Sequence, residues 1–115
     1  MTASTADITN WMHMFRWIVK LIRDEYGIEE SRLTRTAVLE KDIGLSIENV
    51  ERVLEYISDG FQIRFPDGTL DEVLRLEELC LLAAWLKGLY KQPPFIGAAF
   101  AENCRSLNPG AGAEA

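Results

Sequence analysis

Ser46 is the residue best placed to do chemistry, because it stands where a helix begins. It follows the short stretch Asp42, Ile43, Gly44 and Leu45 and precedes a run of apolar residues at helical spacing. The bare reading of a serine at such a point is a cap, its oxygen accepting from the backbone N–H of Glu48 or Asn49. Glu48, Glu51, Glu55 and Asp59 follow on one arc and read as a solvated face. Arg52 is spaced to pair with Glu48 across one turn. His13 falls on a polar arc and has no recognisable Ser or Cys nucleophile beside it. Cys80 and Cys104 read as buried, free, small hydrophobes. One His and two distant cysteines argue against a metal site. Paired carboxylates in a cleft, a phosphate loop and a nucleophile elbow are not recognisable, so an enzyme is not expected.

The helix that follows Ser46 has Ile47, Val50, Leu54, Ile57 and Phe61 as its expected core face, with Gly60 as its terminator. Phe61, Ile63 and Phe65 then alternate up to Pro66, which excludes the helical conformation at Phe65. Asp67 and Gly68 make a turn, and Thr69 caps a short helical segment over residues 70–74.

Two longer helices flank this unit. The first is expected from Ile8, capped by Asp7, to a close at Tyr26 and Gly27. Ile8, Trp11, Phe15, Ile18 and Ile22 form one stripe, and Met14, Trp17 and Leu21 a second, which together span roughly 200°. The other starts at Leu76, with Leu76, Leu79, Cys80, Ala83, Leu86 and Tyr90 facing the core and Leu81, Leu82 and Trp85 beside them. Trp11, Trp17 and Trp85 read as core or interface rather than as a ligand box. Pro93 and Pro94 break the chain, and a fifth helix is expected from Pro94 to Leu107. It should cover the surplus apolar surface at Met14, Trp17, Leu21, Leu82 or Trp85; the alternative is a homodimer through that surface.

The stretch from Asp42 to Asp67 resembles the acyl carrier protein family. Asp42-Ile43-Gly44 looks like that family's Asp-Leu-Gly turn, and Phe61-Gln62-Ile63-Arg64-Phe65-Pro66-Asp67 looks like its Phe-x-Ile-x-Ile-Pro-Asp exit. The segment YGIEESRLTRTAVLEKDIGL is similar to the family's long first loop, so the resemblance spans residues 8–90. It implies an all-α, acyl-carrier-like bundle of three main helices and one short one; the C-terminal helix is an addition to that pattern.

In the family, the serine of an Asp-Ser-Leu signature carries 4′-phosphopantetheine, and the acidic second helix docks on basic patches of partner enzymes. The signature is broken here. An alignment that keeps Ser46 on the signature serine needs a deletion before it and an insertion before Phe61, and it loses the aspartate. The gapless alignment, which we favour because helices rarely absorb an extra residue without a bulge, puts Ser46 on the aspartate and Ile47 on the serine. The chain also resembles a poorly characterised bacterial branch of carrier-like proteins whose members often lack the serine. The expectation is therefore a non-catalytic carrier-like module that presents Glu48, Glu51, Glu55 and Asp59 to a partner, without a prosthetic group. The alternative is a functional carrier with 4′-phosphopantetheine on Ser46, serving fatty acid, polyketide or related acyl metabolism.

Composition narrows the partners. The chain has 115 residues, 48% of them hydrophobic, and a net charge of −6. This length supports one core, and the acidic balance disfavours nucleic acid. No apolar run is long enough to span a bilayer and no signal peptide is recognisable, so a cytoplasmic protein is expected. Residues 1–7 should be frayed, residues 8–107 a single domain, and residues 108–115 a disordered Gly/Ala-rich tail.

Overall fold

In the computed structural model, which describes residues 8–112, all regular elements are helical. The order is α1 (Trp11–Tyr26), a 3-10 turn (Glu30–Arg32), α2 (Ile47–Phe61), α3 (Thr69–Glu72), α4 (Leu76–Lys87) and α5 (Ala98–Leu107). No strand occurs among the described residues; one isolated antiparallel bridge joins Val38 to Arg75. The expectation of an all-α bundle of three main helices and one short one, with an added C-terminal helix, holds.

α1 starts at Trp11 rather than Ile8. Asn10 is the cap: it is extended, and its side-chain oxygen accepts from His13 N at 2.9 Å. Asp7 and the expected frayed residues 1–7 lie outside the described residues. Both apolar stripes of α1 find cover, with Met14, Trp17, Ile18, Val19 and Ile22 buried and Leu21 half-buried. Trp17 meets Phe61 of α2 edge to face, with ring centroids 4.9 Å apart. Gly27 closes the helix in the left-handed conformation, its N–H donating to Arg23 O.

α4 is apolar almost all round, which marks a helix enclosed by others. Leu76, Leu79, Cys80, Leu82, Ala83, Ala84, Trp85 and Leu86 are all buried. The Glu78 carboxylate caps it by accepting from the N–H groups of Leu74 and Arg75 at 2.7 and 3.0 Å. The long connection before α2 is laced to the start of α4. Leu39 N donates to Leu74 O, Leu76 N to Ala37 O and Glu77 N to Arg35 O. Its polar backbone thus finds partners although Leu33, Ala37, Leu39, Ile43 and Leu45 are buried.

α5 begins at Ala98, not at Pro94. Ile96 turns inward and is buried, and Gly97 precedes the helix in an extended conformation. Phe100, Ala101 and Cys104 bury the inner side, whereas Leu107 is exposed. The expectation of a disordered tail from residue 108 is corrected for residues 108–112. Asn108 is buried, Gly112 N donates to Trp85 O, and the Trp85 indole Nε1–H donates to Gly112 O at 2.9 Å. A low-complexity composition hid these backbone partners; residues 113–115 lie outside the described residues. Met14, Trp17, Leu82 and Trp85, the surplus apolar residues, are covered within this one chain. Among the described residues, no helix is long and apolar enough to cross a membrane.

Candidate functional site: the start and the acidic face of α2

The turn before α2 is fixed from several sides. The Asp42 carboxylate accepts from Val38 N at 2.9 Å, Leu45 N donates to Leu39 O, and Arg32 Nη2 donates to the carbonyls of Asp42 and Ile43 at 3.0 Å each. Gly44 takes a φ of 88°, a left-handed conformation that a side chain would strain. This turn delivers Ser46 to the surface in an extended conformation, where its Oγ accepts from Asn49 N at 3.1 Å. Ser46 is thus the N-cap of α2, on one of the two bonds its position allows.

Ile47 is not on the core face. It is 58% exposed, while Val50, Val53, Ile57 and Phe61 are buried and Leu54 is half-buried. The buried arc is centred nearer Val53 than spacing alone suggests, because α1 packs on that side, where the Tyr26 hydroxyl donates to Asn49 O and the Tyr56 hydroxyl to Glu25 Oε1. Ile47, one turn before Val50, falls off its edge. A branched apolar side chain therefore stands in water directly after the capping serine.

Glu48, Glu51, Glu55 and Asp59 are all exposed, opposite the buried arc. The expected Glu48–Arg52 pair does not form, and among the described residues none of the four carboxylates makes an ion pair. Both partners remain hydrated, which costs less than ordering two long side chains.

Three of the four carboxylates also edge an open cleft of about 1020 Å³ that spacing did not reveal. Glu51, Glu55 and Asp59 line one wall. Residues 62–71 line the other and contribute Asp67 and Asp71, with Leu54, Phe65 and Leu70 as apolar ground between them. Five carboxylates thus face a single guanidinium, Arg64, among the lining residues. Glu48 stands outside the cleft. Asp67 and Asp71 had one readable signal, the Pro66-Asp67-Gly68 turn that folds the chain back toward α2.

This wall is well held. The chain leaves α2 through Gln62 in the left-handed conformation, φ 59°, rather than at Gly60, which sits inside the helix. Ser58 Oγ donates to Ile63 O at 2.6 Å, Gln62 Nε2 to Asp59 O at 2.8 Å, and Thr69 Oγ1 to Pro66 O at 2.6 Å.

The remaining candidates do not line this surface. Cys80 and Cys104 are free and buried. Burial pushes the Cys80 thiol up to about 12 and the Cys104 thiol up to about 11. His13 is half-buried. Trp11 is half-buried, packed edge-on to Tyr90 with the Arg35 guanidinium 5.0 Å from its ring centre.

A helical bundle whose second helix opens at a rigid turn and carries an acidic face is carrier-like in form, and the chain is acyl-carrier-protein-like in sequence. It is 27% identical over 70 residues to an acyl carrier protein of Guillardia theta, a match that covers 60% of this chain and 85% of that protein. No protein-family model matches the chain.

Proposed function

We propose that this carrier-like module is non-catalytic, lacks a prosthetic group, and offers the acidic face of α2 to a basic protein partner. The observation that carries the reading is the bond from Asn49 N–H to Ser46 Oγ. It gives the serine a structural task that needs no modification. The residues around it do not suit a phosphopantetheine site. Ile47, the gapless counterpart of the attachment serine, offers no hydroxyl, and Leu45 before Ser46 is buried and offers no carboxylate. Docking is supported by the unpaired carboxylates of Glu48, Glu51, Glu55 and Asp59, which are available to a cationic surface. The same charge disfavours nucleic acid and anionic membranes. Two enclosed free thiols suit a reducing compartment such as the cytoplasm.

The second reading is a working acyl carrier with 4′-phosphopantetheine on Ser46. The exposure of that serine and the likeness to an acyl carrier protein favour it. Intact mass before and after treatment with a broad-specificity phosphopantetheinyl transferase separates the two. We expect no change in mass, and expect Ser46→Ala to weaken the cap by about 1 kcal/mol or less. A gain of one phosphopantetheine that disappears in Ser46→Ala establishes the carrier reading instead.

A further inference from the structure

The cleft wall formed by residues 62–71 has little regular structure of its own: apart from the single turn of α3 it is irregular chain. Its two ends are fastened by α5. At the near end, Asn108, just past α5, spans both backbone groups of Arg64. Its Oδ1 accepts from Arg64 N at 2.8 Å, and its Nδ2 donates to Arg64 O at 2.8 Å and to Cys104 O at 2.9 Å. At the far end, Gly97, just before α5, donates its N–H to Glu72 Oε1 at 2.9 Å. Between these points Phe100, Ala101 and Cys104 sink into the common core.

The chemistry at Asn108 is specific. Arg64 needs one acceptor and one donor, as a residue in a sheet would receive from a neighbouring strand. A carboxamide supplies both from one side chain; a carboxylate supplies only acceptors, and an apolar side chain neither. Asn108 is 6% exposed, so water is a poor substitute there.

We infer that α5 is a splint for the cleft, with Asn108 and Glu72 as positioning residues that hold the Arg64–Asp71 wall at a fixed distance from Glu51, Glu55 and Asp59. The inference rests on the docking reading proposed above. A wall held before the partner arrives removes ordering cost from association. Linkage makes the effect reciprocal: what loosens α5 weakens docking, and docking tightens α5.

The test uses a synthetic amphipathic peptide with lysines on one helical face and leucines on the other, titrated against the full chain. Asn108→Ala removes both Arg64 bonds and should lower affinity roughly tenfold. The Arg64 amide should exchange faster in this variant, and the peptide should slow amide exchange in α5 of the wild type. Glu72→Ala should also weaken binding. Glu72→Gln keeps an acceptor for Gly97 N–H and removes only the charge, so it should bind more tightly than Glu72→Ala. A purely structural role predicts lower stability with unchanged affinity of the folded fraction. The inference alone is overturned if folded Asn108→Ala binds the peptide as the wild type does. If Asn108→Ala does not fold, the Glu72 pair decides: equal affinities of Ala and Gln overturn the splint. If the wild type itself does not bind the peptide, the docking reading fails and the inference falls with it.

Discussion

Cys80 and Cys104 are enclosed by apolar side chains, and the Cys80 thiol spends its one proton on the carbonyl of Trp11 at 3.3 Å. Burial favours the neutral thiol in the folded state, so native protein should resist alkylation at about pH 8 and react only when unfolded. Mass spectrometry after iodoacetamide treatment, with and without denaturant, checks this. The folded thiols titrate near about 12 and about 11, above the ordinary value of 9.0. The unfolded chain therefore loses these protons first, and stability should fall as pH rises through that interval. A denaturation midpoint that stays flat across this alkaline range contradicts the assignment. At this scale the sequence was partly legible. Ser46 could be read as a cap because it precedes an apolar periodic run, and the cysteines as core because of their neighbours. The exposure of Ile47 could not be read, since the phase of a helix against its partners is a tertiary property. Asn108 looked like part of a loose tail, since its partner Arg64 lies 44 residues away.

Among the elements, α1, α2 and α4 were legible because each repeats its apolar residues over several turns. Their ends were less so. Gly60 is the residue that a local rule would choose to end α2, yet the helix runs on to Phe61. Stopping at Gly60 would withdraw Phe61 from Trp17. The burial of an aromatic ring outweighs the left-handed strain at Gln62, which is about 1–2 kcal/mol. Gln62→Gly relieves that strain but frees the unfolded chain and loses the bond to Asp59 O. We expect a net gain of about 1 kcal/mol or less, measured as a higher urea midpoint. A loss of stability would mean that the Gln62 side chain matters more than its backbone. At Gly88 relief is not available: φ is 86° and an added Cβ would lie 2.7 Å from the carbonyl oxygen of Gly110. Gly88→Ala should destabilise by about 1–3 kcal/mol.

The whole molecule depends on a terminus that composition made look dispensable. Removing residues 108–115 breaks the bonds to Arg64 and Trp85 and opens the buried surface beneath them to water. We expect a loss of roughly 2–4 kcal/mol in urea unfolding; an unchanged midpoint would return the tail to the disordered class. Charge is the other global property. Glu51→Lys with Glu55→Lys moves the net charge from −6 to −2, each substitution adding two charges. Association with a basic partner should slow and lose salt dependence while the fold persists. A double variant that associates at the wild-type rate removes α2 from the docking surface. The bond between the Trp85 indole and Gly112 has an optical consequence. That ring is enclosed by the core, and its N–H is held by a carbonyl near the C-terminus. Release of residues 108–112 would hand the indole to water and shift its emission to longer wavelength, so with Trp11 and Trp17 replaced by Phe the protein would report the position of that segment in fluorescence.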